Sequence, residues 1–231
     1  MALIYFFRHG QAGARDDYDR LSPLGEEQAR RLGTWIAGQG LTFDAVLSGA
    51  LRRQQETARL ALPGAAVEID PGWSEFDLDA VYAQIAPQLA AEDPNFRAHW
   101  EELQRAIASG DDGIHRRWTK PDAAVVEAWI RERFPIRAET WSQFNARVRA
   151  AGARFAALPE QARLAVFTSA TPISIMIGDV LGGLPPNRVL RFAGASLNTG
   201  ITILSRRGAE LDLFMFNAVP HLEGPALHTF R

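Results

Sequence analysis

The 231-residue chain contains no cysteine, which excludes disulfides, thiolate metal sites and cysteine nucleophiles. It has no excess of one charge either. Its 25 Lys and Arg stand against 27 Asp and Glu, and a formal net charge of −2 gives no electrostatic case for wholesale nucleic-acid binding. No apolar run approaches the roughly 20 residues of a membrane span. The first residues carry neither a basic leader nor a small-residue cleavage site, so no secretory signal is read and a cytoplasmic protein is expected. Internal repeats and low-complexity tracts are also lacking. What is present is 47% hydrophobic content, enough for one large domain, or one domain with an insertion, around a substantial core.

The patterning is that of strands alternating with helices. "LIYFF" at residues 3–7 reads as a strand buried on both faces, and it runs straight into Arg8-His9-Gly10, where Gly10 is expected to let the backbone turn away. Ser22-Pro23 has the signature of a helix start, followed by an apolar face of Ala29, Leu32, Trp35 and Ile36 and by the breakers Gly38 and Gly40. "FDAVLSG" reads as a second strand, "ALRRQQETARLAL" as a helix closed by Pro63-Gly64, and "AVEID" as a third strand leading into the turn "PGWSEFD". Strand signals then disappear over about residues 79–144. There helical patterns dominate, and Arg97, His99, Arg105, His115, Arg116, Arg117 and Lys120 accumulate among acidic residues, as on solvated helical faces. Alternation returns with a helical stripe at Phe144, Val148, Ala151, Phe155 and Leu158. Next come the strand "LAVFTS", a helix "TPISIMIGDVLGG" with Thr171 as cap, and two strands joined at Arg207-Gly208. This order argues for an α/β sandwich.

Three strand ends carry chemistry. The first offers Arg8 and His9, the second leads to Arg53 in the first turn of the next helix, and the third leads to Glu75. Carboxyl ends of strands are where open α/β sheets bind ligands. A neutral imidazole can attack phosphorus and form a covalent intermediate. Guanidinium forks match phosphate oxygens and stabilise charge building in the transition state. A protonated carboxyl group can deliver a proton to the leaving alkoxide. That inventory suits phosphoryl transfer.

Four motifs in order, "RHG" at 8–10, "LSPLGEEQARRLG" at 21–33, "SGALRRQQETA" at 48–58 and "WSEFD" at 73–77, make the chain resemble the histidine phosphatase (phosphoglycerate-mutase-like) superfamily. "TPISIMIGDVLG" and "LNTGITIL" extend the resemblance over most of the chain. The resemblance implies a single domain over residues 1–231. Its fold would be a three-layer α/β sandwich, with a mostly parallel central sheet flanked by helices and a helical cap insertion at about 79–144. It implies His9 as the phosphorylated nucleophile, Glu75 as proton donor, and Arg8 and Arg53 as the phosphate clamp, with no metal or organic cofactor. The register, two residues after Leu51 and four before Thr57, selects Arg53 over an exposed Arg52.

One position departs from the family pattern. Where a second active-site histidine usually stands, "TSATPI" places Ser169, a hydroxyl that donates one hydrogen bond without positive charge. The helix start at Thr171-Pro172 would offer free N–H groups to phosphate. His221 in "PHLEG" is either a packing histidine, the commoner case, or a substitute reaching the site. The expected activity is hydrolysis of a phosphomonoester. The alternatives are a phosphate-binding pseudophosphatase and, less in keeping with "QAGARDDYDR" after the "RHG", a phosphoglycerate mutase. The expected partner is a small phosphorylated molecule, without nucleic acid or membrane, and a homodimer is the prior for such a chain. Substrate choice is expected to lie with the insertion, where Trp100, Trp118 and Trp129 serve either a pocket or, more commonly for such residues, packing.

Overall fold

The computed structural model describes residues 1–14, 17–109, 118–208 and 210–230. Its strands are β1 (Ala2–Arg8), β2 (Ala45–Ser48), β3 (Val67–Ile69), β4 (Arg163–Thr168), β5 (Ile201–Arg207) and β6 (Glu210–Ala218). Its helices are α1 (Pro23–Gly38), α2 (Arg52–Ala61), α3 (Leu78–Glu92), α4 (Pro94–Ala108), α5 (Lys120–Ile130), α6 (Trp141–Ala153), α7 (Ala170–Val180) and α8 (Pro186–Ala195). The strands form one sheet in the order β3-β2-β4-β1-β5-β6. Pairing is parallel from β3 to β1 and antiparallel on to β5 and β6, so only β5 runs against the rest. The mostly parallel sheet read from the sequence is therefore present.

β1 is central, and its unbroken apolar run follows from burial on both faces. Tyr5 and Phe7 join Val46, Ala165, Phe167 and Ile203 of neighbouring strands against Leu32 and Ile36 of α1 and Ala58 and Ala61 of α2. Phe6 points the other way and meets Trp73 and Phe155 edge-on, with ring centroids 5.5 and 5.9 Å apart. Helices on both faces of the sheet make three layers.

The chain divides into two compact units, one of Met1–Glu75 with Arg147–Arg231 and the other of Phe76–Ala146. The second unit is helical and has its own core. Phe76 stacks on Trp129 at 4.3 Å, Trp129 meets Trp141 edge-on, and the indole N–H of Trp129 donates to the Glu139 carbonyl at 2.8 Å. Trp129 is thus packing, Trp100 stacks on Phe96, and Trp118 is exposed. Arg97, His99, Arg105 and Lys120 are exposed as a solvated face requires, while His115, Arg116 and Arg117 lie outside the described residues.

Three local features go beyond or correct the sequence reading. Gly10 is not in the left-handed region. It is required because a Cβ there would lie 2.4 Å from the Gly25 carbonyl oxygen, where the loop after β1 presses on α1. The helix after β4 is capped at Ser169 rather than Thr171, and it starts two residues earlier than the threonine-proline signal places it. Its free amides are met from outside, since Thr171 N–H donates to a Glu75 carboxylate oxygen at 3.2 Å. Helix α8 has no counterpart in the sequence reading; among the described residues Val189 is its only buried side chain.

Candidate active site

The carboxyl ends of β1, β2 and β4 lie side by side. His9 N–H donates to the Thr168 carbonyl at 2.9 Å and Gly49 N–H to the Phe167 carbonyl at 3.0 Å, which sets His9, Ser169 and the start of α2 around one point. The third strand leads into the turn bearing Glu75. Thr168 Oγ1 and Gln54 Nε2 both donate to the Trp73 carbonyl, at 2.5 and 3.2 Å. Arg147 Nη1 donates to the carbonyls of Pro71, Gly72 and Ser74 at 2.8–3.1 Å. This turn is a rigid platform fastened at five bonds.

His9 is 2% exposed. Its Nδ1 lies 2.7 Å from the Gly10 carbonyl, and its Nε2 receives the Arg53 Nε–H at 3.3 Å. A carbonyl only accepts and a guanidinium only donates, so the proton sits on Nδ1 and the lone pair on Nε2. Burial first, then the positive charges of Arg53 and Arg8, hold the imidazole pKa well below its ordinary value. The ring is a neutral base with its nucleophilic nitrogen turned toward a guanidinium.

The main chain of His9 is held just as firmly. Asn198 Nδ2 and Thr199 N–H both donate to its carbonyl, at 3.1 and 3.3 Å. Thr199 adopts φ of 54°, a left-handed conformation that a β-branched residue rarely takes. Its hydroxyl donates to the Asn198 carbonyl at 2.7 Å and accepts from His221 Nε2 at 2.8 Å. His221 therefore bonds Thr199, two links from the imidazole, and burial lowers its own pKa to about 4.

Arg8 is buried, and its terminal nitrogens donate to the carbonyls of Ser196 and, at 2.6 Å, of Phe230. Its Nε–H is buried without a hydrogen-bond partner among the described residues. Burial lowers the Arg8 pKa, while Tyr18 and Glu75 act to raise it, so Glu75 lies within electrostatic reach of this guanidinium. Arg53 is likewise buried, and its Nη1 donates to Asp19 Oδ1 at 3.0 Å. Arg52 is exposed and pairs with Glu56 at 2.8 Å, as the register required.

Ser169 is buried beside His9 with its hydroxyl accepting from Gln54 Nε2 at 2.8 Å. Arg8, His9, Arg53, Glu75 and Ser169 are thus brought to one end of the sheet. Sequence reasoning missed Asp19, Gln54, Asn198 and the C-terminal Phe230. Only Gln54 carries a local signal, one residue after Arg53. Among the described residues no group of His, Asp or Glu side chains is arranged to hold a metal ion, and no helix is long and apolar enough to cross a membrane.

Comparison with known proteins shows what the chain is similar to. A 2,3-bisphosphoglycerate-dependent phosphoglycerate mutase of Methylorubrum extorquens is 39% identical over 69 residues, 26% of this chain and 32% of the mutase. The match therefore spans about a third of that relative's length. An adenosylcobalamin/alpha-ribazole phosphatase of Escherichia coli is 26% identical over 189 residues, 78% of this chain and 79% of that protein. The solved structure of a putative alpha-ribazole-5'-P phosphatase from Escherichia coli superposes with a TM-score of 0.65 at 19% identity. It covers 94% of this chain and 96% of that one, a likeness of fold. The description "histidine phosphatase superfamily (branch 1)" belongs to a family model that matches residues 4–218, from the strand ahead of His9 to the end of the last strand, and to that superfamily the chain belongs.

Proposed function

We propose that the protein is a phosphatase that hydrolyses a phosphomonoester through a phosphohistidine on His9. The observation that carries this reading is the state of His9: a buried neutral imidazole, its Nδ1–H pinned to the Gly10 carbonyl and its Nε2 lone pair facing Arg53. In the first step Nε2 attacks phosphorus as the ester P–O bond breaks, and Glu75 supplies the proton that the leaving alkoxide needs. Arg53 and the unpartnered Arg8 Nε–H stabilise the equatorial oxygens. In the second step water attacks the phosphohistidine, gives a proton to Glu75, and releases phosphate. The family relation and the alpha-ribazole phosphatase likeness over most of the chain support hydrolysis, whereas the mutase match is partial. A small phosphorylated substrate rather than nucleic acid fits the net charge of −2. A cytoplasmic place and a homodimer complete the proposal, to be tested by fractionation and light scattering.

Incubation with p-nitrophenyl phosphate from pH 5 to 8, beside a His9→Ala variant, tests it. Release that vanishes in the variant is expected. A second reading, phosphate binding without turnover, is favoured by the Gln54-bonded Ser169, at the position where the sequence resemblance implies a second histidine. Phosphate binding by calorimetry, with release equally absent from both proteins over a broad phosphoester panel and no acid-labile phosphate on His9 of the wild type, would favour that reading instead.

A further inference from the structure

We infer that Asp19 is a resident anion in the phosphate site, an internal competitor that substrate and product phosphate must displace; this rests on the phosphatase reading of the same site. Three donors converge on its carboxylate. Oδ1 accepts from Arg53 Nη1 at 3.0 Å and from Arg53 N–H at 3.5 Å, and Oδ2 accepts from Arg52 N–H at 3.0 Å. The two amides open α2, whose own cap residue Leu51 makes no side-chain cap bond. Positive dipole, two free amides and a buried guanidinium are what a phosphoryl group seeks. Here the chain fills them with its own carboxylate, and the Tyr18 ring lies 4.8 Å over the same guanidinium.

Asp19 does not behave as a fixed strut for Arg53. Half of its side chain is exposed (49%), against 7% for Arg53, so water compensates the carboxylate when it leaves but not the guanidinium. A phosphoryl group attacked by His9 Nε2 must also take the donors of Arg53, whose Nε is 3.3 Å from that nitrogen. Both anions cannot hold Nη1 and the two amides at once. Asp19 therefore lowers the affinity for every phosphate ligand, and it favours release of the product once the ester is cleaved. It sets affinity without touching the reacting atoms.

The test is calorimetric titration of the full chain with inorganic phosphate, comparing wild type with Asp19→Asn, Asp19→Ala and Asp17→Asn. Asp17 pairs with Arg20 in the same stretch and controls for charge alone. Both Asp19 variants should bind phosphate about tenfold more tightly and lower the KM for p-nitrophenyl phosphate, with kcat changed far less and Asp17→Asn like wild type. Equal or weaker phosphate binding in Asp19→Asn, with the melting temperature kept, would overturn the inference and make Asp19 a support for Arg53. Equal tightening by Asp17→Asn would also overturn it, in favour of general electrostatics. Tighter phosphate binding without any turnover would uphold the internal competitor and sink the phosphatase. His9-dependent turnover with unchanged phosphate affinity would do the reverse.

Discussion

Arg53 meets three demands with one planar group: its Nε faces His9 Nε2, its Nη1 holds Asp19, and its face lies against Tyr18. A lysine at this position keeps the charge but offers a single flexible point, without a fork to divide between imidazole and anion. Arg53→Lys is therefore expected to lower kcat/KM on p-nitrophenyl phosphate by about a hundredfold or more, the scale of one lost preorganised donor. Steady-state kinetics beside wild type would check it. At this scale the sequence was readable where chemistry is local: strand-end Arg8 and His9, and the helix register that separates Arg53 from Arg52. It was not readable at Asp19, an acidic residue in a polar loop with nothing nearby in sequence to distinguish it from Asp17.

The stretch from Leu227 to Phe230 acts as an element although most of it is irregular. The Phe230 carbonyl accepts from Arg8, and the Thr229 hydroxyl accepts from Gln28 and donates to Asn198 Oδ1, at 2.6, 2.9 and 2.9 Å. Asn198 in turn holds the His9 carbonyl. Ending the chain after Leu227 strips partners from Arg8 and Asn198 together. Each buried polar group left unpaired costs about 1–3 kcal/mol. The shortened protein should melt several degrees lower by circular dichroism and lose most of its His9-dependent hydrolysis. Unchanged melting and turnover would show that the strand ends hold the site alone.

Across the whole molecule, two buried neutral histidines tie stability to pH. His9 and His221 both have folded-state pKa values below the ordinary 6.5, His221 at about 4. Below pH 6.5 the unfolded chain takes up protons that the folded chain refuses, so stability is full above that pH and falls as pH drops through the window toward the folded pKa. For His221 the loss is on the order of 3 kcal/mol by pH 4. Thermal unfolding between pH 4 and 7 should therefore show a falling melting temperature on the acid side. His221→Gln, able to donate to Thr199 without titrating, should flatten that slope. The same lowering, caused first by burial and then by Arg53 and Arg8, favours the neutral form of the His9 imidazole in the folded protein.

The sequence by itself determined most of the elements, because their signals are local. A run of five apolar residues is a strand buried twice over, and Ser22-Pro23 starts α1 with the serine hydroxyl accepting from Gly25 N–H at 3.0 Å. It also determined the chemical inventory at the strand ends. Tertiary structure alone decided the partners of that inventory. Arg8 meets the Phe230 carbonyl across 222 residues, Ser169 meets Gln54 across 115, and Arg53 meets Asp19 across 34. A buried polar group must be satisfied by whatever the returning chain brings past it. Periodicity and turn chemistry carry no record of where the chain returns, so the bond from Arg53 to the Asp19 carboxylate became visible only in three dimensions.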